Sequence, residues 1–238
     1  MMQMVRLGKI IFRELLDSDL DKLQIFCDEC KSLGYNNNAS FDSIKLNKMK
    51  MPYGKYFVGI DESKDIIFNL AGVHHLPEVS PNAWRCLFRG AQLPGYAVSK
   101  GISKNMFKTG YQLAYVLPMQ IEFIQNIYPD AEFYMSTNVD KDGSGKSIRM
   151  GKFVEKLLRN NFLEKHSEQE LFYTQQKIWK INLDYLDTVR PKDYFLSKID
   201  NVPSLLLCND YNFLIVHHQF FLFHLHNLFH SQITNLLS

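Results

Sequence analysis

A mixed α/β fold, with a mostly antiparallel central sheet flanked by helices, is what the sequence predicts, on three observations. Three apolar, β-prone runs follow one another, "KYFVGI", "DIIFNLAGVHHL" and "NAWRCLFRGAQL", and the polar turn "DESKD" joins the first two, as in a hairpin meander. Helical periodicity brackets them, in "DLDKLQIFCDECKSLG" before and "KNMFKTGYQLAYVLPMQIEFIQNIY" after. A strand, a helix and a closing strand pair then complete the body, so helices flank a sheet that contains a meander.

In chain order, residues 8–16, "GKIIFRELL", read as a strand, and Asp17, Ser18 and Asp19 are available to cap the helix that follows. On that helix Leu20, Leu23, Phe26 and Cys27 share a face, and Gly34 supplies the stop. "NNNASFDSIKLNKM" is polar and then weakly helical, and the meander comes next. "PGYAVSKGIS" is a loop that opens the long helix, which Pro118 should kink or interrupt. "AEFYMSTNV" is a strand and "SIRMGKFVEKLLRNN" a helix with Ile148, Phe153, Val154, Leu157 and Leu158 on one side. "FLEKHSEQELFYTQQKIWKI" supplies the last strands.

Of the 238 residues, 46% are hydrophobic, 22% charged and 13% aromatic, with 18 Phe and 12 Tyr to fill a core. Lys and Arg number 27 against 25 Asp and Glu, a net charge of +2, and no basic run marks a nucleic-acid footprint. Cys27 and Cys30 form a C-x-x-C, but no second pair completes a zinc site, and the pair reads as a core cysteine and a bystander. Few cysteines and no leader-like segment make a reducing cytoplasm the expected compartment. Residues 201–238 carry one formally charged side chain, Asp210, and five of the eight histidines, so the body is taken as 1–200 and the remainder as an aromatic, His-rich extension. Within it, residues 211–229 approach the length of a membrane span, yet histidines, asparagines and a glutamine interrupt them, and no basic flank sets an orientation. The four histidines between 217 and 226 lack a carboxylate or cysteine at fixed spacing, so no metal site is expected.

Two loops could meet phosphate. "GSGKS" at 143–147 ends like a nucleotide-binding loop, but Asp140 stands where its first glycine belongs, and Asp140 and Asp142 would set carboxylates beside the phosphates. Read as a calcium loop, the same stretch has Gly151 where a bidentate Glu is required. A polar Asp-Gly turn before a helix is the simpler reading. The other loop, "LPGYAVSKGISKNMF" at 93–107, follows an apolar strand and opens a helix whose first N–H groups lack partners.

With Pro94, Tyr96, Lys100, Gly101 and Ile102, and Ser103 where a small residue is wanted, this loop resembles the pyrophosphate loop of the GCN5-related N-acetyltransferases (acyl-CoA N-acyltransferases). The predicted order of elements over residues 8–184 is similar to that family's, and Asn138 follows "EFYMST" where the family tends to carry an Asn. Val98 departs from the family's Gln or Arg, and Leu157 stands near the place of the tyrosine that often protonates departing thiolate.

The resemblance implies an N-acyltransferase that moves an acetyl group from acetyl-CoA to an amine by direct attack. Cofactor contacts are then expected from Ser99, Lys100, Gly101, Ile102, Ser103 and Lys104 through the loop, from Gln92 and Leu93 through a backbone N–H on the thioester carbonyl, and from Asn138. Glu78, His74 and His75 are the candidate bases, with Tyr134 and Glu132 as lesser ones. Adjacent His74 and His75 point to opposite sides of a strand, so one at most can face the site. Arg85 and Arg89 flank the central strand and read as surface charges, the alternative being an acidic substrate or phosphates. The acceptor is open between a small molecule, a peptide terminus and a lysine. A catalytically silent binding module of the same fold and a nucleotide-binding protein using Gly145, Lys146 and Ser147 are the other readings.

Overall fold

A computed structural model describes residues 4–35, 40–50, 54–96, 111–138, 154–191 and 194. The loop residues 99–104, the GSGKS stretch and the 201–238 extension lie outside the described residues. The elements are β1 (Met4–Leu7), β2 (Ile10–Glu14), α1 (Leu20–Ser32), α2 (Phe41–Lys50), β3 (Gly54–Asp61), β4 (Ile66–His75) and β5 (Ala83–Gln92). A π-helical turn, Gln112–Val116, then runs into α3 (Leu117–Gln125), and β6 (Glu132–Asn138) follows. Residues 154–159 form α4, before β7 (Leu163–Leu171) and β8 (Thr174–Ile181).

One eight-stranded sheet holds the strands in the order β1-β2-β3-β4-β5-β6-β8-β7. Every neighbouring pair is antiparallel except β5 and β6, so the mixed, mostly antiparallel sheet expected from the sequence is the observed one. The stretch read as a single strand over 8–16 is the second arm of a hairpin. Gly8, at φ +59°, makes the corner, and the four residues of β1 precede it; the left-handed first position suits the tight turn between twisted strands. So short a strand leaves little alternation to read.

Helix α1 begins where Asp19 accepts from the Leu16 N–H (2.8 Å) and pairs with Arg13. It buries Leu23, Phe26, Cys27 and Cys30. Cys30 is therefore core rather than bystander, because positions 23, 26, 27 and 30 share one face at helical spacing. Burial pushes both thiols up to about 12, which keeps them protonated and unreactive.

The π turn and α3 pack on the face of the sheet that carries Phe12 and Phe57. Tyr115 stacks on Phe12 with ring centres 5.1 Å apart, and Phe123 meets Phe57 edge-on at 5.8 Å. The interruption expected at Pro118 takes the form of this switch from π to α hydrogen bonding at Leu117. Proline brings no N–H to the ladder, and a widened turn just before it accommodates the gap. Val154 and Leu157 of α4 join the same core. A smaller cluster of Leu76, Ala83, Tyr134, Leu171 and Ile178 lies apart from that main core.

Candidate functional site

The sheet opens between β5 and β6. These parallel strands pair at only three positions, Ala83 with Glu132, Trp84 with Phe133 and Arg85 with Tyr134, although β5 continues to Gln92 and β6 to Asn138. The cause is visible in β5. Leu70, Gly72 and His74 of β4 are two residues apart, while their partners Ala91, Phe88 and Arg85 are three apart. β5 thus carries two bulges, and Leu87 and Arg89 take left-handed φ values of +58° and +57°. Each non-glycine residue held there costs on the order of 1 kcal/mol, and bulges bend and twist a strand away from its neighbour. Gly90 makes room for the bend: a Cβ there would sit 2.9 Å from the Leu87 carbonyl oxygen and 3.2 Å from Gln112 Oε1.

His74, Arg85, Tyr134 and Lys180 form a row of register partners across β4, β5, β6 and β8, level with the point of parting. The His74 ring lies 4.2 Å from the ring of Phe88 and 5.8 Å from that of Phe172, which sits in the β7–β8 turn. Its Nδ1 donates to the His75 carbonyl oxygen at 3.0 Å, which leaves the lone pair on Nε2. That atom is buried and has no partner among the described residues. Burial, and then the charge of Arg85, push the His74 imidazole down to about 3, so it is neutral at physiological pH.

His75 faces the other way. Its Nε2 meets the Pro81 carbonyl oxygen at 2.7 Å, and its ring lies 5.2 Å from that of Trp84. It lines a cavity of about 360 Å³ with Trp84, Tyr128 and Asp130, at the end of β5 away from the parting. Glu78 lies in the β4–β5 connection, where its backbone oxygen accepts from Gln169 Nε2 at 3.4 Å. Of the three candidate bases, the structure brings His74 to the parting.

Two backbone N–H groups near it, those of Leu93 and Leu87, are engaged. Leu93 N–H donates to the Phe68 carbonyl oxygen at 2.8 Å, while Gln92 Oε1 accepts from Asn69 Nδ2 at 2.8 Å and Gln92 Nε2 donates to the Tyr96 carbonyl oxygen. Leu87 N–H, two residues past the last paired position, donates to Gln120 Oε1 at 3.1 Å. Gln120 comes from α3, is fully buried, and its Nε2 has no partner among the described residues. Asn138, at the exposed end of β6, accepts from Gln176 Nε2.

Tyr134 donates to Glu132 Oε2 at 3.2 Å, and burial together with the Glu132 charge raises its hydroxyl to about 12. Glu132 itself is held below the usual carboxylate range, first by its bond to Lys180. Leu157 is completely buried, so α4 offers a hydrocarbon where the resembling family often carries a tyrosine. Sequence reasoning missed Gln120, Phe88 and Phe172. Gln120 was findable as the amide on an otherwise apolar stripe of Leu117, Ile121 and Ile124.

Strand order, one parallel pair that parts, and a bulged central strand beside the parting make this an acyl-CoA N-acyltransferase-like fold. No protein-family model matches the chain, and no curated protein matches it in sequence. Solved structures do align with it. A ribosomal-protein-S5-alanine acetyltransferase from Vibrio fischeri is 12% identical with TM-score 0.46, covering 77% of this chain and 98% of the other. A putative acetyltransferase of the GNAT family from Desulfovibrio desulfuricans gives 10% identity, TM-score 0.47 and coverage of 73% and 98%. A chimeric spermidine N-acetyltransferase from Vibrio cholerae gives 15%, 0.44, and 75% and 98%. Among the described residues no helix is long and apolar enough to cross a membrane.

Proposed function

We propose that the protein is an N-acyltransferase that transfers an acetyl group from acetyl-CoA to an amine at the parting of β5 and β6. The observation that carries this reading is the parting itself: three paired positions, then two bulges and two strained residues that hold the strands apart. Strain of this kind persists only where the surroundings impose it, and it gathers at functional sites.

Acetyl-CoA supplies an activated thioester carbonyl. The residues at the parting fit it through one orphaned group: the buried Gln120 Nε2, with no partner in the described protein, is a donor for an acyl carbonyl. With Leu87 N–H and Leu93 N–H already engaged, Gln120 is assigned the polarising role in place of Leu93. A preorganised donor in a water-poor site stabilises the developing oxyanion. His74 Nε2, with its lone pair, accepts a hydrogen bond from the attacking amine and orients it. The imidazole is too weak a base at about 3 to hold the amine's proton, so the amine reacts in its neutral form. The N–C bond forms as the C–S bond breaks; the proton shed by nitrogen passes to water, and the thiolate takes one up from water. Residues 99–104 are assigned to the pyrophosphate and Asn138 to the pantetheine arm.

A silent binding module of the same fold is the second reading, favoured by the depressed His74 and by Leu157. Melting of the full chain with acetyl-CoA, ATP-Mg²⁺ or calcium tests the proposal, since a ligand that binds the native state alone raises Tm. A rise with acetyl-CoA, together with amine-dependent release of CoA, is expected. A rise without CoA release leaves the binding module. No rise with acetyl-CoA overturns the proposal, and a rise with ATP alone returns the nucleotide reading of Lys146 and Ser147.

A further inference from the structure

Arg85 is the anomaly of the charged side chains. Two other part-buried arginines have carboxylates: Arg13, 14% exposed, pairs with Asp19 at 2.6 Å, and Arg190, 15% exposed, lies 3.5 Å from Glu122 and 3.4 Å from Asp187. Arg85 has no acidic partner among the described residues. Its guanidinium carbon lies 4.8 Å from the centre of the Phe172 ring and 5.3 Å from that of Phe88. Its neighbours are the charged Arg89 and the neutral His74 ring, and burial, then Arg89, lower it to about 10. A shielded cation beside another cation is costly, and two aromatic faces return roughly 0.5–2 kcal/mol each.

The turn that supplies Phe172 is also out of the ordinary. Phe172 and Tyr173 take φ values of +55° and +62°, in a two-residue turn that favours Asn-Gly. Bulky aromatics accept that strain here, and one of them lies over Arg85. Phe172 remains 44% exposed, so the cluster opens to solvent on this side.

We propose that His74, Arg85, Phe88 and Phe172 form the acceptor pocket, and that it selects amines which also carry an oxyanion, a carboxylate before all. This rests on the transferase reading above and names its acceptor class. The guanidinium presents a planar fork of donors that matches a carboxylate. His74 Nε2 offers a lone pair to the amine N–H, and the Phe172 and Phe88 rings lie against the guanidinium. Polyamines, whose further charges are all positive, meet two arginines instead.

Two measurements on the full chain test this. The first is binding without acetyl-CoA: calorimetry with aspartate, O-phosphoethanolamine, ethanolamine and spermidine, and the imidazole NMR signal of His74. Aspartate and O-phosphoethanolamine are expected to bind and to raise the His74 pKa, since an anion on Arg85 offsets the charge that depresses it. Aspartate ahead of O-phosphoethanolamine supports a carboxylate site, and the reverse order replaces carboxylate by phosphate. The second is CoA release with the same four amines. Arg85→Met is expected to cost the anionic amines at least tenfold more in kcat/KM than it costs ethanolamine, so that the preference for an anionic amine is lost. Phe172→Ala, at a half-exposed turn, is expected to reduce the same preference and guards against misfolding of the first variant. Spermidine or ethanolamine equal to aspartate in both measurements would overturn the proposal, as would an Arg85→Met enzyme with the wild-type preference. Anion binding without acetyl-CoA binding would instead sink the transferase reading and keep the oxyanion site.

Discussion

His74 and Arg85 face each other across β4 and β5 at the level where β5 leaves β6, and neither has a carboxylate beside it among the described residues. Burial of His74, and after it the charge of Arg85, have a thermodynamic consequence. In the unfolded chain His74 takes up a proton near its ordinary 6.5, while in the folded protein it does so only near 3. Between those values the unfolded chain binds the additional proton, so stability is fully present above pH 6.5 and falls as pH is lowered toward 3. A phenyl ring keeps the contacts with Phe88 and Phe172 and cannot be protonated. His74→Phe should therefore show a smaller loss of Tm between pH 7 and 4 than the wild type. Equal acid slopes would mean that His74 titrates normally.

Asp19 contributes a second acid-sensitive step, at lower pH. Burial raises its carboxyl, but the Arg13 bond, the Leu16 N–H and the Arg13 charge outweigh this and hold it below its ordinary 3.8. Its contribution is present above 3.8 and is lost as pH falls through the depressed folded value. Asp19→Asn removes the charge opposite the shielded Arg13, which keeps its bond to the Glu14 carbonyl oxygen, and weakens the start of α1, at a cost of roughly 3 kcal/mol. Denaturant unfolding at pH 7 measures the loss. The variant should also lack the wild type's last acid step below pH 4.

Element types and order were legible because alternation and helical spacing report burial directly: the runs at 55–60, 65–76 and 82–93 became β3, β4 and β5. The hairpin arm β1 was not, since four residues carry little periodicity. The bulges of β5 were hidden for a different reason. Leu87 and Arg89 have ordinary β propensity, and only pairing with β4 forces them into left-handed φ. At the site, His74 was legible as a strand-end histidine. Its depressed pKa was not, because it depends on burial and then on Arg85. Phe172 was read as strand and proved to be a corner placed against Arg85.

Gly90 tests whether the bend of β5 is built in. An added Cβ would meet the Leu87 carbonyl oxygen at 2.9 Å, and backbone cannot rotate away as a side chain can. Gly90→Ala should lose about 1–3 kcal/mol and, by shifting Leu87, weaken acetyl-CoA binding as well. Gly8→Ala is the comparison: nothing lies within 4 Å of its added Cβ. It should cost only the strain of its φ of +59°, about 1 kcal/mol, with acetyl-CoA binding unchanged. Equal effects of the two on ligand binding would detach the bulges from the site.

Gln120 joins stability and chemistry in one side chain. Its Oε1 holds the Leu87 N–H at 3.1 Å, and its Nε2 is buried without a partner in the described protein. Gln120→Leu removes the acceptor from a part-buried N–H, which costs about 1–3 kcal/mol, and removes the orphaned amide nitrogen, which offsets part of that. The net change in Tm should therefore be a few degrees at most. Catalysis should respond quite differently. A lost oxyanion donor lowers kcat by about 10²–10³, with little change in the KM for acetyl-CoA. Gln120→Glu, assayed at a pH high enough to ionise the buried carboxyl, whose pKa burial raises, separates the two roles: the carboxylate still accepts from Leu87 N–H but cannot donate to the acyl carbonyl, so kcat should fall as in Gln120→Leu. If the ionised Gln120→Glu enzyme instead turned over at the wild-type rate, Gln120 would be only the brace that holds Leu87.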